Sequence, residues 1–329
     1  MVKLGIMSFA HMHAYGYAEC MNRLDGVILA GIADDNTARG RKMARKFRTK
    51  FFNSYKALLD EDIDGVIITS ENSRHREMVG MAASRKKHIL CEKPLAISIK
   101  DAQAMIDICH ANGVKLQTAF PCRFATPAIR AKSLINEGRL GKVLAINGTN
   151  HGKMPGGWFI DKKKSGGGAV MDHTVHVVDL MRWFLKQEVV EVYAEVDTRF
   201  HNIKTDDCGI LTMEFGDGTF ATLDPSWSRP TKSFPAWGDV TMEIVGTEGV
   251  LSLDIFNQKF SLFSEKEGKE NWVNWGDNMD NGLVEDFVNM IEEEREPSIT
   301  GYDGLKATEV TVAAYQSAKR KEPVRLPLE

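Results

Sequence analysis

Through its first 120 residues the chain alternates short apolar runs with stretches of helical periodicity, and this alternation narrows the available folds more than any other feature. Residues 2–7, 27–33, 65–69, 88–91 and 115–119 read as strands. Residues 14–24, 37–47, 57–59, 74–86 and 99–111 read as helices. Strands alternating with helices of about ten residues predict βαβ units and a parallel sheet. Such sheets bind ligands at the carboxyl ends of their strands.

Beyond residue 120 the pattern changes. A helix is expected over 127–137, stopped by Gly138 and Gly141. Runs rich in β-formers follow at 143–149, 189–198, 209–215, 219–226, 240–245 and 250–254. Gly216-Asp217-Gly218 and Gly246-Thr247-Glu248-Gly249 are hairpin signals between them. Helices over 283–294 and 304–319 close the chain, with a last strand at 324–328. The expected organisation is α/β, with a parallel-sheet domain over 1–120. An α+β domain with a largely antiparallel sheet follows over 121–329. A length of 329 residues accommodates both.

Composition removes several function classes. Apolar content of 43% and charged content of 26% are ordinary for a globular protein. A net charge of −3 favours neither nucleic acid nor an anionic membrane. The basic run from Arg39 to Lys50 reads as a solvated helix face. No stretch approaches the ~20 apolar residues of a membrane span. The N-terminus enters a strand-like run without a signal-peptide layout. The five cysteines are scattered, without a C-x-x-C pair, which predicts reduced thiols and a cytoplasmic setting.

Two segments about eighty residues apart carry the chemistry. His88-Ile89-Leu90-Cys91-Glu92-Lys93-Pro94 is an apolar strand ending in Glu-Lys-Pro. Gly166-Gly167-Gly168-Ala169-Val170-Met171-Asp172-His173-Thr174-Val175-His176 is a glycine turn entering a helix, with Asp172 and His176 one turn apart on one face. Together the segments resemble those of the Gfo/Idh/MocA oxidoreductases, a family that oxidises or reduces sugars and polyols with a nicotinamide cofactor. The resemblance runs from Val2 to the end of the chain. It implies NAD as cofactor, a small sugar or polyol as substrate partner, and a homodimer or homotetramer formed through the sheet of the second domain.

A dinucleotide-binding strand normally ends in G-x-G-x-x-G, whose glycines let the pyrophosphate approach the helix N-terminus. Here the loop is Ser8-Phe9-Ala10-His11-Met12-His13, with Ser8, Ala10 and His13 at the glycine positions. Asp34 stands at the end of the second strand, where a carboxylate can accept from both ribose hydroxyls and repel a 2′-phosphate. NAD is therefore expected over NADP. Asp34 can equally begin the cap of the next helix. By resemblance, Ser70, Asn72 and His75 lie under the nicotinamide side of the cofactor, with Glu71 replacing the family's proline. Asn72 can also cap a helix, and His75 can be purely structural. Ser8, Ala10, His11 and Glu92 are further expected cofactor contacts. Arg123 matches the family's arginine after the last strand of the first domain, a position that allows cofactor or interdomain contacts.

Hydride transfer from a secondary alcohol needs a proton acceptor at the hydroxyl and a donor or cation for the developing alkoxide. By resemblance Lys93, Asp172 and His176 form the catalytic group. Lys93 suits alkoxide stabilisation, His176 proton transfer, and Asp172 orientation of the imidazole or of a second hydroxyl. The bland alternative is that Asp172 and His176 cap and pack their helix.

Histidines are concentrated near these segments, at His11, His13, His151, His173 and His176. His173 is expected at the substrate, and so is Trp158 as a platform for a sugar ring, although Trp158 fits a core position equally well. A metal held by His151, Asp172 and a second histidine matches no reliable spacing, so no metal is expected. The reading is an NAD-dependent dehydrogenase acting on a sugar or polyol CH–OH group. Two alternatives stay open: an enzyme that retains and recycles NAD through a keto-sugar, and a non-enzymatic sugar or nucleotide sensor.

Overall fold

The computed structural model describes residues 1–328. The chain forms two compact units, Met1–Pro121 with Asp280–Leu305, and Cys122–Met279 with Lys306–Glu329. The first boundary between the units falls between residues 121 and 122. Residues 280–305, which the sequence groups with the second domain, belong to the first unit.

The first unit begins with β1 (Val2–Met7), α1 (His13–Met21), β2 (Val27–Ala33), α2 (Thr37–Phe47), β3 (Lys50–Phe52) and α3 (Tyr55–Leu59). It continues with β4 (Gly65–Ile68), α4 (His75–Ala83), β5 (His88–Glu92), α5 (Ile99–Asn112) and β6 (Leu116–Ala119). The sheet is six-stranded, in order β3-β2-β1-β4-β5-β6. All of its named pairings are parallel. β3, too short to show a period, was not expected.

Local chemistry sets several helix ends. The Ser98 hydroxyl accepts from the Asp101 amide to cap α5, and Gly113 ends that helix at φ 67°. Asn36 caps α2 by accepting from Arg39 N. Apolar side chains of β4, β5, α4 and α5, among them Ile68, Ile89, Val79 and Met105, share one core.

The second unit holds α6 (Thr126–Asn136), β7 (Val143–Gly152), α7 (Lys162–Ser165), α8 (Ala169–Leu185), β8 (Val189–Asp197), β9 (Cys208–Phe215) and β10 (Phe220–Asp224). Then come β11 (Gly238–Gly246), β12 (Val250–Asp254), β13 (Lys259–Ser264) and β14 (Lys269–Asn274). The chain closes with α9 (Met279–Glu292), which belongs to the first unit from Asp280 on, α10 (Gly301–Arg320), which belongs to the second unit from Lys306 on, and β15 (Val324–Arg325). Seven strands form one sheet, in order β12-β11-β7-β10-β9-β8-β15. Its pairings are antiparallel except β10 with β7. β13 and β14 form a separate hairpin that the sequence did not announce. α8 packs against β7, β9 and β10, which presents its Asp172–His176 turn from a rigid support.

Candidate functional site

In the first unit, β1 lies between β2 and β4, so chain connections leave it in opposite directions. That switch point is where open α/β sheets bind ligands. The loop leaving β1 carries Ser8 at φ 77°, a left-handed conformation that glycine adopts without strain. Its amides are already engaged. Phe9 N donates to Asp34 Oδ2 (2.8 Å), Ala10 N to Ser8 Oγ (3.1 Å), His11 N to Thr69 O (2.9 Å) and His13 N to His11 Nδ1 (3.2 Å). A glycine loop would turn such amides toward a pyrophosphate; this loop instead carries the imidazoles of His11 and His13.

Those rings stand 4.3 Å apart by centroid, and His13 Nδ1 lies 3.1 Å from Glu92 Oε1. Glu92 is completely buried at the end of β5, and its Oε2 accepts from the Lys93 amide at 3.1 Å. Burial alone would raise the Glu92 carboxyl, but His11, His13 and Lys93 overcome it and hold the group well below the ordinary carboxylate range. Burial conversely opposes charge on His13, and Glu92 reverses that, so the imidazole is raised. Burial and the Glu92 charge push the Tyr17 phenol far up. Asp280, on α9, is also raised, by burial above all, with Glu92 acting in the same direction against His13.

Tyr17 and Asp280 escaped the sequence reading. The available signal was Gly16, inside α1: a Cβ there would lie 2.7 Å from Asp280 Oδ2. His11, His13 and Glu92 offer donor atoms within 4.8 Å of one another, a combination that divalent metals use. Nδ1 of each ring is already engaged, and the group forms an imidazole–carboxylate network. The combination of His151 with Asp172 does not assemble; His151 meets Asp224 and Asp239.

Asp34 is buried at the end of β2 and accepts four hydrogen bonds. Phe9 N and Arg39 Nε reach Oδ2, and Asn36 N and Arg39 Nη2 reach Oδ1, each at 2.8 Å. Asp35 pairs with Arg74. The carboxylate expected to face the ribose is thus covered by Arg39, and its repulsion of a 2′-phosphate is offset by that guanidinium. Ser70 is buried, its hydroxyl on Glu71 O at 3.2 Å, and Asn72 is buried at the start of a short 3₁₀ turn. His75, expected at the cofactor, is fully buried with Nδ1 on Pro94 O (3.1 Å) and Leu95 O (3.2 Å). Burial lowers its pKa, and it pins the backbone that follows Lys93. Lys93 itself is 3% exposed.

The donor chemistry fits a dinucleotide. Asp34 and Arg39 would hold the adenosine ribose, His11 and His13 the diphosphate, and Asn72 and Glu92 the nicotinamide end.

In the second unit, Asp172, His173 and His176 lie on α8, all 9% exposed or less. Asp172 Oδ2 accepts from Trp227 Nε1 at 3.4 Å and lies 3.3 Å from His173 Nε2. His173 Nδ1 contacts Pro225 O at 3.1 Å. Gly152 admits this ring: a Cβ there would stand 2.4 Å from His173 Cε1. Trp237 approaches the same imidazole edge-on, with centroids 5.8 Å apart. Neither Trp227 nor Trp237 was singled out in the sequence, because no local pattern ties residues 227 and 237 to α8. Trp158 is half-buried against a small core with Phe159, Ala169 and Trp227.

The amides that open α8 are satisfied internally. Asp206 accepts from Gly168 N and Val170 N, both at 2.8 Å, and Tyr315 Oη accepts from Gly168 N (3.2 Å) and Met171 N (3.1 Å). The last glycine of the turn makes room for Asp206. A Cβ on Gly168 would lie 1.8 Å from Asp206 O. Arg123, expected at the cofactor, forms a buried bidentate pair with Asp179 on α8, through Nε (2.7 Å) and Nη2 (2.5 Å). Both carboxylate oxygens of Asp179 are thereby engaged.

Residues 4–120 match the NAD-binding Rossmann-fold model of the Gfo/Idh/MocA oxidoreductases, and residues 128–252 match the family's C-terminal domain. The chain is 26% identical to a myo-inositol 2-dehydrogenase of Thermotoga maritima over 99% of its own length and 98% of the relative's. It is 30% identical to an uncharacterized oxidoreductase of Streptococcus pneumoniae, over 83% of this chain and 73% of that one. The crystal structure of GenD2 from gentamicin A biosynthesis, in complex with NAD, superposes with a TM-score of 0.91 at 23% identity, covering 99% of this chain and 97% of that one. The chain belongs to the Gfo/Idh/MocA family of oxidoreductases, with an NAD-binding Rossmann domain at its N-terminal end.

Proposed function

We propose that the protein oxidises a secondary alcohol of a sugar or polyol, or reduces the corresponding ketone, with NAD as the redox partner. The observation that carries this reading is the support given to the Asp172–His176 turn: a buried carboxylate, oriented by Trp227 and His173, one turn before a buried imidazole on a helix seated on the sheet. Lys93, just after a strand buried from Ile89 to Glu92 and next to an ionised Glu92, supplies the cation.

When bound, the nicotinamide supplies the hydride acceptor. His176 takes the hydroxyl proton as the C–H bond breaks, and returns it in the reverse direction. Lys93 stabilises the negative charge that develops on the substrate oxygen. Asp172 orients the imidazole or holds a second hydroxyl. His13, charged against Glu92, offsets the diphosphate, with the His11 ring beside it. The Thermotoga relative, a myo-inositol 2-dehydrogenase, supports the substrate class.

All five cysteines are free thiols, in keeping with a cytoplasmic setting. Among the described residues no helix is long and apolar enough to cross a membrane. The sheet face carrying the exposed Ile210 and Phe220 is suited to pairing with a second copy of the chain.

The test is a screen of polyols and sugars for net NADH formation, followed by Lys93→Ala and His176→Ala. Each variant is expected to lower turnover by a factor of about 10² or more, the usual contribution of a positioned proton-transfer or oxyanion-stabilising group. NADH affinity should change little. Wild-type turnover in either variant would refute that residue's role. Turnover without net NADH change would instead indicate a recycled cofactor.

A further inference from the structure

We propose that an aromatic cavity at the start of β11 is a second saccharide subsite, so that the substrate is a disaccharide or another glycoside rather than a lone sugar. The inference rests on the assignment of Asp172 and His176 to the reacting ring.

The cavity measures about 360 Å³, within the range of small-molecule sites, and lies wholly in the second unit. Its walls are Trp237, Phe256, Trp272 and Trp275. Trp237 and Trp275 are 48% and 51% exposed, a large solvent-facing aromatic area for side chains that normally bury most of their surface. Phe260 stacks on Trp275 with centroids 6.0 Å apart, and Phe256 meets Trp237 at 5.7 Å. Each indole is therefore held by a second aromatic ring.

The polar groups on the wall are neutral or acidic. Gln258 lies against Gly276, which has φ +80°, and a Cβ there would stand 2.6 Å from the carboxamide nitrogen. Asp277 accepts a hydrogen bond from Thr126 Oγ1. The nearby cation, Lys259, is paired with Asp254 at 2.8 Å and lies over Trp272 at 4.1 Å. Indole faces beside an amide and a carboxylate complement a pyranose, with its apolar C–H faces and its rim of hydroxyls. With Lys259 committed to Asp254, a phosphorylated sugar finds no dedicated cation.

Position selects the second ring. Trp237 is separated from Asp172 by one imidazole: His173 lies 3.3 Å from Asp172 Oδ2 and 5.8 Å, by ring centroid, from Trp237. A ring held at Asp172 and a ring held at Trp237 are thus neighbours, as two glycosidically linked sugars would be.

The experiment has two arms, both using full-length protein. In the first, kcat and KM are measured for glucose, galactose and myo-inositol, and for maltose, cellobiose, lactose and methyl glucoside, in wild type and Trp275→Ala. Loss of a stacking face should lower the ratio of disaccharide to monosaccharide kcat/KM about tenfold, mainly through KM, with Trp275→Phe restoring most of it. A parallel loss for both substrate classes overturns the subsite. In the second arm, quenching of indole fluorescence by the same disaccharides is followed on cofactor-free protein. Saturable quenching by a disaccharide that is weakened in Trp275→Ala supports the subsite even if no sugar is turned over, in which case the dehydrogenase reading alone fails. Monosaccharide turnover without disaccharide quenching overturns the subsite and leaves the dehydrogenase reading standing.

Discussion

His151 should hold its proton far into the alkaline range, and the second unit should weaken as that proton leaves. The residue sits on β7 opposite Asp239 on β11. Its Nε2 lies 3.1 Å from Asp224 Oδ2 and its Nδ1 3.4 Å from Asp239 Oδ1, while Arg229 Nε is 2.6 Å from the other oxygen of Asp239. Burial opposes charge on the imidazole, but the two carboxylates prevail and raise it to about 9 from the ordinary 6.5.

A folded value above the unfolded one means that the stabilisation is complete below the unfolded pKa and is lost as pH rises through about 9. The gap corresponds to roughly 3 kcal/mol at about 1.4 kcal/mol per decade. Asp224 is one-third exposed, so screening reduces the usable figure to about 1–3 kcal/mol. Thermal melts between about pH 7 and pH 10, run on wild type and His151→Gln, should therefore differ by roughly 3–10 °C in their pH-dependent loss of Tm. Subtracting the variant removes titration of lysines and thiols elsewhere. The ring proton resonances of His151 give the pKa directly. A midpoint at or below about 6.5 would refute the reasoning. It would mean that Arg229 Nη2, 3.2 Å from Nδ1, donates to a neutral imidazole.

Arg39→Ala should uncover Asp34 and shift the Kd ratio of NADPH to NADH about tenfold toward NADH, measured by fluorescence titration; an unchanged ratio would show that Arg39 does not reach the 2′-position. Glu92→Gln should remove the charge that keeps His13 protonated. In wild type, NADH affinity should fall as pH rises past the ordinary histidine range, and the variant should lose that dependence; equal pH profiles would sink the proposed diphosphate role. Gly168→Ala must push Asp206 and the start of α8 apart, so a loss of roughly 3 kcal/mol or more is expected by denaturant unfolding. Gly152→Ala displaces only the His173 ring and should lower kcat/KM more than it lowers stability; the reverse order would remove His173 from the site.

The sequence by itself determined the parallel sheet of the first unit and most of the second sheet. It also placed Asp172 and His176 on one face of a helix. Those features follow from short-range periodicity, apolar runs of β-branched residues and glycine stops, which act within a few residues of each other. β3 and the β13–β14 hairpin escaped because a short strand, or one packed unevenly, has no clean period: the burial of β13 runs from intermediate to exposed without alternation. Tertiary structure decided how the charges pair. Whether Asp34 faces a ribose or Arg39, whether Arg123 faces a cofactor or Asp179, and whether His75 faces a ligand or the Pro94 carbonyl are choices between partners that the sequence does not order. The same holds for Trp237 beside His173, brought together from positions 64 residues apart by the β7–β11 pairing and the packing of α8 on β7. A buried charge or ring must find its partner in space, and long-range packing, not local pattern, supplies it.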